Sequence, residues 1–305
     1  MFFYKAFGIT IESDILMPQF VQTERREADA RIHLMRANDS VSPANLTHRA
    51  WRISHDEIVF DFERIGSFLV KKGREIIVNP CVEAEIQLLR LPLLGIALAT
   101  LLQQRGLFVL HASSVSVNDQ AVVFLGWKGA GKSTTAASLF KRGHPMISDD
   151  VVAIDDSGST APTILSGYPN FKLMPQALSE ILGDDPETLS RVCTGLEKRF
   201  RPSTDNFQSK DLPLKAVFAL ADGPELNLRY LSPQDALSSL IANTYLARYG
   251  KQLLQNEHAG KNLMQCAKVV KTTPVYRLER PRSLSLLSAL SELVESKCGA
   301  ISEFV

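Results

Sequence analysis

The sequence predicts an α/β fold, a core of strand, glycine-rich loop and helix behind a smaller β-rich N-terminal region. Three observations carry that expectation. Alternating or short apolar segments dominate up to about residue 88, an unbroken apolar run at Ala121–Leu125 leads straight into a glycine-rich loop, and strand-like and helix-like patterns then intermingle to the C-terminus. The implied division is 1–88 as the β-rich region, 89–106 as a connecting helix and 107–305 as the α/β core.

In the first region Phe7–Ile11 and Ile58–Phe62 alternate apolar and polar residues, and Arg31–Met35 and Glu75–Val78 are short apolar-rich runs, so all four predict strands. Arg36–Asn45, with its Asn, Asp, Ser and Pro, predicts a loop. From Val82 to Arg105 the spacing becomes helical, and Gly106 sits where a left-handed glycine stops a helix. The longest apolar run there, Leu91–Leu102, is too short to span a bilayer, so a buried helix is expected and no membrane association.

Leu107–Val117 predicts a strand pair, and Asn118-Asp119 a turn into Ala121–Leu125. An entirely apolar strand suits a central position, buried on both faces. After the glycine loop, Lys132–Arg142 predicts a helix that Lys141-Arg142-Gly143 closes, with cations at its negative end. Pro145–Ser148 returns as a short strand ending in Asp149-Asp150. Farther on, Gly167–Pro175 predicts a loop, Gln176–Leu182 a short helix, and Arg199–Pro213 a polar, mobile segment. Leu214–Leu220, Leu226–Leu231 and Pro274–Leu278 predict strands; Asp235–Tyr249, stopped by Gly250, and Ser283–Glu295 predict helices.

Composition excludes several classes. The 305 residues are 45% hydrophobic and 22% charged, which rules out a disordered or fibrous chain. Lys and Arg total 34 against 33 acidic residues, so no global field exists to hold DNA or RNA, and any anion site must be local. Cys81, Cys193, Cys266 and Cys298 lie far apart without a CxxC, which suits reduced thiols. The opening Met1–Ala6 lacks the order of an export signal, and a cytoplasmic location is expected.

The segment Gly126-Trp127-Lys128-Gly129-Ala130-Gly131-Lys132-Ser133 matches GxxxxGK[ST] between a strand and a helix. Glycines let successive N–H groups turn inward, and the helix N-terminus adds partial positive charge to the same anion pocket. The Lys132 ammonium then reaches the β- and γ-phosphates, the Ser133 hydroxyl ligates Mg²⁺, and Lys128 adds local charge. The nucleotide set is Gly126, Lys128, Gly129, Ala130, Gly131, Lys132, Ser133 and Thr134; the alternative is a glycine-rich turn that holds nothing. Trp127 either stacks on a base or covers the loop.

Asp149 and Asp150 close the returning strand, one helix and one strand after Ser133. One carboxylate there can hold Mg²⁺ and the other can accept the proton of an attacking hydroxyl; two acids on a surface turn are the alternative. His111 precedes the loop on the neighbouring segment, and pattern alone leaves it between a core histidine and an active-site one. Lys198, Arg199 and Arg201 either approach phosphate or form a solvated charge run.

Leu110-His111-Ala112-Ser113-Ser114-Val115, Phe124-Leu125-Gly126, Gly129-Ala130-Gly131-Lys132-Ser133, Lys141-Arg142-Gly143-His144 and Ser148-Asp149-Asp150 together resemble the catalytic domain of HPr kinase/phosphorylase. The resemblance is close over 111–154. It implies a P-loop kinase core similar to phosphoenolpyruvate carboxykinase and transfer of phosphate from ATP to a protein serine, with Lys132 and Ser133 at phosphate and Mg²⁺, Asp150 as the proton acceptor and His111 as an active-site partner. The family's further acidic magnesium ligand falls within Tyr168–Met174, where no carboxylate stands. The metal shell is then expected to differ from the family's, Ser133 with Asp149 or Asp150 holding Mg²⁺ and Asp149 the first choice, while Lys172 stands where it could neutralise transferred phosphate. The family's arginine-bearing loop, linked with phosphorolysis, has no counterpart near Ser232–Asp235.

The opening Tyr4–Ile15 and the late Pro274–Arg282 resemble the HPr-kinase-like proteins of lasso peptide and related modified-peptide gene clusters. This implies a precursor-peptide serine as acceptor and a substrate-recognition role for the N-terminal region; a homo-oligomer is compatible with the resemblance. A carboxykinase-like or small-molecule phosphotransferase and a nucleotide-dependent regulatory module are the competing functions.

Overall fold

The computed structural model describes residues 1–35, 51–53, 56–158, 161–249 and 257–300, and the loop expected at Arg36–Asn45 lies outside them, as does Gly250. The chain divides into two compact units, Met1–Leu107 and Phe108–Val305.

The first unit is an eight-stranded sheet: β1 (Phe2–Ala6), β2 (Ile9–Ser13), β3 (Val21–Gln22), β4 (Ala30–Leu34), β5 (Trp51–Ile53), β6 (Glu57–Phe62), β7 (Gly66–Lys71) and β8 (Glu75–Pro80), in the order β3-β1-β2-β4-β8-β7-β6-β5. Phe7-Gly8, expected inside a strand, instead makes the turn between β1 and β2, with φ of 52° and 73°. Both residues are left-handed, the geometry of a tight hairpin turn that matches strand twist.

Helices α1 (Ile86–Pro92) and α2 (Leu98–Gln104) are joined by a π-type turn, Leu93–Ala97, in which Gly95 leaves helical dihedrals. Pro92 offers no N–H and Gly95 resists no distortion, so the ladder loosens there. The helix closes as expected: Gly106, at φ 97°, donates to Gln103 O and Leu107 donates to Leu102 O. At 19 residues, Ile86–Gln104 is long and apolar enough to cross a membrane by length and composition, which corrects the shorter span read from Leu91–Leu102; 67% of its apolar window is buried in the molecule. The division after Leu107 counts this helix, expected as a connector, with the first unit.

The second unit contains β9 (Phe108–Leu110), β10 (Ser113–Val117), β11 (Gln120–Leu125), α3 (Lys132–Lys141), β12 (Met146–Asp149), β13 (Val152–Asp155), β14 (Thr163–Ile164), β15 (Asn170–Leu173), α4 (Pro175–Ala177), β16 (Arg199–Pro202), β17 (Leu212–Asp222), β18 (Asn227–Tyr230), α5 (Pro233–Ala242), α6 (Glu257–Thr272), β19 (Val275–Arg280) and α7 (Leu287–Ala300). The main sheet runs β12-β10-β11-β17-β14-β13-β9, with β19 also beside β17 and β18 beside β19. Strands β11, β17 and β19 are parallel.

Strand β11 is buried on both faces, as its composition demands. Val122 and Phe124 join the core that holds Ala136, Leu139 and Phe140 of α3, while Ala121, Val123 and Leu125 join the one that holds Leu240 of α5 and Val269 of α6. Phe124, Phe218 and Tyr276 stack across the three parallel strands at 5.8 and 5.4 Å.

Four expectations need correcting. Leu107–Val117 is not a hairpin: the chain breaks at His111-Ala112, so β9 pairs with β13 while β10 pairs with β11 and β12. The stretch Gly167–Pro175 contains β15, which pairs with β16. The supposedly mobile Arg199–Pro213 therefore carries ordered structure; Arg199 is buried against Glu187 and Arg201 bonds Asp184 and Asp205, each at 3.0 Å. Helix α5 stops at Ala242, followed by a 3-10 segment at Tyr245–Tyr249.

Candidate active site

The site grows from the end of β11. Gly126 turns the chain at φ 150°, where a Cβ would meet Ala130 Cβ at 2.8 Å, and Gly131 caps α3 at φ 85°. Those two conformations exclude side chains. The Lys132 side chain, 7% exposed, folds back over the loop and donates to Gly126 O at 2.8 Å and Trp127 O at 3.3 Å. Burial lowers its pKa to about 8, with Asp149 and Asp150 opposing the shift. Lys128 is exposed, and Trp127 is 76% exposed, so it does not cover the loop.

The hairpin β10–β11 brings Ser113 into register with Phe124, and the pairing of β10 with β12 on its other edge brings it into register with Asp149. Asp149 Oδ1 accepts from Ser113 Oγ at 2.6 Å and from Ser133 Oγ at 2.8 Å, and its Oδ2 accepts from Lys172 N at 3.0 Å. The Ser133 hydroxyl and the Asp149 carboxylate thus meet at the mouth of the loop, two hard oxygens of the kind Mg²⁺ takes alongside phosphate and water. Among the described residues no cluster of three or more His, Cys, Asp or Glu side chains offers a metal cage of its own.

Asp150 sits at φ 74°, a left-handed position that aspartate tolerates better than most residues. The turn sends its side chain to a different set of partners from those of Asp149. Lys172 Nζ donates to Asp150 Oδ2 at 2.8 Å, His111 Nδ1 lies 3.0 Å from Oδ1, and Arg248 Nη1 lies 3.5 Å from the same oxygen. Burial pushes this carboxyl upward, but Lys172, His111 and Arg248 outweigh it and hold the pKa well below the ordinary range. Burial would lower Lys172, yet Asp150 keeps it above its usual value.

His111 Nδ1 also lies 3.0 Å from Arg248 Nη1. That nitrogen can accept from Arg248 or donate to Asp150, but not both at once. Burial, helped by the charges of Lys132 and Arg248, lowers the imidazole pKa against the opposing pull of Asp150. Asn243, the residue closing α5, ties the two halves together: its side-chain oxygen accepts from Gly126 N at 3.0 Å and its main-chain oxygen from His111 N at 2.8 Å.

The structure therefore gathers Lys132, Ser133, Asp149, Asp150 and His111, and it places Gly129, Ala130, Gly131 and Thr134 along the same loop and first helical turn. Of the basic trio, Lys198 is exposed and close enough for its charge to depress Lys132, whereas Arg199 and Arg201 are engaged elsewhere. Sequence reasoning missed Arg248, Asn243, Ser113 and Arg280. Arg248, Asn243 and Arg280 have no local signal; each reaches the site only because the fold brings distant segments together. For Ser113 the hint was its hairpin register with the loop strand.

Residues 101–173 match the HPr Serine kinase C-terminal domain family. An HPr kinase/phosphorylase of Clostridium botulinum (strain Eklund 17B / Type B) is 45% identical over 51 residues, 17% of either chain. One of Listeria welshimeri is 32% identical over 101 residues, 30% of this chain and 32% of that one. The matched part thus spans between about a sixth and a third of these relatives' length. The Hpr(Ser) kinase/phosphatase structure from Coxiella burnetii aligns with a TM-score of 0.34 and 14% identity, covering 63% of this chain and 97% of that one.

Proposed function

We propose that this protein is a Mg²⁺- and ATP-dependent kinase that moves the γ-phosphoryl group to a serine hydroxyl of a protein or precursor peptide. The observation that carries it is the meeting of Lys132, Ser133 and Asp149 at one loop mouth, with Asp150 one residue beyond. The match at residues 101–173 supports the same reading, since it covers the loop and both acids.

The loop amides and the Lys132 ammonium stabilise the phosphates once Lys132 exchanges its two carbonyl partners for phosphate oxygens. Ser133 and Asp149 would hold Mg²⁺, which would supply charge neutralisation to the transferring phosphate. The acceptor oxygen bonds the γ-phosphorus as the bond to the leaving β-phosphate oxygen breaks, and the hydroxyl proton passes to Asp150. A weak base suffices for this, because the transition state is loose and the nucleophile needs orientation more than activation. Lys172 faces Asp150 where phosphate charge arrives, and His111 with Arg248 fixes the carboxylate from the other side.

Incubating the full chain with Mg²⁺ and γ-labelled ATP, with serine-containing precursor peptides as acceptors, tests this. Labelled phosphoserine is the expected product, and Lys132→Ala should lower its rate by about 10²-fold or more. Release of phosphate without transfer would point to a nucleotide-hydrolysing regulatory module instead, and transfer to a small metabolite to the carboxykinase-like alternative.

A further inference from the structure

A triphosphate gripped at Gly126–Ser133 carries a nucleoside that must leave the loop on one flank or the other, and a cleft lies on each. The first, about 480 Å³, is lined by Gly129, Gly131, Thr134, Gln176, Arg280 and Leu284 among others. The second, also about 480 Å³, is lined by Gly126, Trp127, Arg229, Asp235, Asn243 and Arg277 among others. Either is large enough for a small molecule.

The polarity of the loop separates them. In a loop of this type the main-chain amides hold the α- and β-phosphates, while the lysine reaches β and γ and the serine hydroxyl serves the metal. The Lys132 side chain points back to Gly126 and Trp127, and Asn243 bonds both Gly126 and His111, so the second cleft borders the reacting end. The first cleft is lined by Gly129, Gly131 and Thr134, the loop end and first helical turn whose amides face the α-phosphate, whereas the second is lined by Gly126 and Trp127, the two residues whose carbonyls hold Lys132.

Arg280 makes the first cleft a prepared site. The residue is 7% exposed, its Nη2 donates to Ala130 O at 2.5 Å, and its buried Nε has no hydrogen-bond partner. Among the described residues it forms no ion pair. A Cβ at position 131 would lie 2.5 Å from Nη2, so glycine there lets the guanidinium close on the loop. A buried planar cation with an unused N–H costs free energy unless a ligand engages it, and a flat heteroaromatic base answers both its face and its donor.

Resting on the kinase reading, we infer that the first cleft receives the ribose and base of the nucleotide, with Arg280 against the base, Leu284 giving apolar contact and Gln176 a polar edge. Calorimetry on the full chain compares Mg-ATP with Mg-tripolyphosphate, which has phosphates and no nucleoside. ATP should bind about tenfold tighter or better. Ser285→Trp, which fills the cleft from its exposed rim, should bring ATP down to the triphosphate value while triphosphate itself stays within about twofold. Arg280→Met should likewise erase the preference, each variant being judged against its own triphosphate affinity. Equal binding of the two ligands by the unmodified chain would overturn the inference and leave the phosphate site standing. Loss of the preference in Trp127→Ala but not in Ser285→Trp would overturn it by placing the base in the second cleft. Binding of neither ligand would bring down the kinase reading and this inference with it.

Discussion

At the scale of single residues, two buried cations govern what the site does with protons. Lys132 has a pKa of about 8 before any phosphate arrives, because burial disfavours its charge. A bound polyphosphate raises that pKa, so binding prefers the protonated form. Below pH 8 the affinity for metal-free tripolyphosphate should be level with respect to this group, and above it should fall by up to tenfold per pH unit. Calorimetry between pH 7 and 10 checks this; an affinity unchanged across that range would mean that Lys132 does not meet the phosphates.

Lys172 and Asp150 set up the second test. Asp150→Asn leaves a buried ammonium facing an amide, and should cost about 3 kcal/mol, whereas adding Lys172→Met should recover more than half of that. Urea unfolding of the two single variants and the double variant measures the coupling. The pH window follows from the shifts. Asp150 is depressed, so its contribution is present above the unfolded carboxyl value of about 4 and is lost as pH falls through its folded pKa. Lys172 is raised, so its contribution is present below the unfolded amine value of about 10 and is lost as pH climbs through its folded pKa. Between those limits the pair stabilises the folded chain; a flat double-variant cycle at pH 7 would deny it that role.

At the scale of elements, the C-terminus of α5 matters more than its own sequence suggests. Asn243 is the only residue described here that bonds both the start of the glycine loop and the main chain of His111, through its side chain and its backbone respectively. Asn243→Leu should leave the Gly126 N–H unsatisfied, cost about 1–3 kcal/mol and raise the KM for ATP. Asn243→Asp keeps the acceptor for the Gly126 N–H but loses the donor that Asn243 Nδ2 gives Ser239 O at 2.8 Å, so it should restore only part of the stability, and its added negative charge opposes phosphate, so the KM should stay high. Thermal melts beside steady-state kinetics separate the two effects, and equal KM values in all three proteins would remove α5 from the site.

Elements with local causes were legible in the sequence. Ala121–Leu125 announced a strand buried on both faces, Asn118-Asp119 supplied a two-residue turn with φ of 51° and 57°, and the glycines marked where the loop had to bend. The acids at the end of β12 could be placed near the loop because one helix and one strand leave little freedom. What stayed hidden has a distant cause. Strand β15 owes its order to β16, Arg199 pairs with Glu187 twelve residues back, and Arg248 owes its position to a 3-10 segment far along the chain. The break at His111 was hidden for the same reason, since the N–H that turns there is met by Asn243 O.

At the scale of the whole molecule, every side chain argued to meet the nucleotide comes from one unit, Phe108–Val305, although its segments span the loop, β12, α5 and the end of β19. Ligand binding stabilises whatever opens to release the ligand, by about 2.7 kcal/mol at a hundredfold excess over Kd. Hydrogen exchange of the full chain with saturating Mg-ATP should therefore slow amides in two places far apart in sequence, Gly126–Thr135 and Arg280–Leu287. Amides that exchange only when the second unit opens as a whole should slow by about 10²-fold at that excess. Residues 1–35 and 56–107 contribute no group to the grip described, so their exchange should hold steady until a peptide acceptor is added. Protection of the first unit by nucleotide alone would give that sheet a part in holding ATP, whereas protection that appears only with the acceptor peptide would give it the recognition role that the resemblance at Tyr4–Ile15 implies.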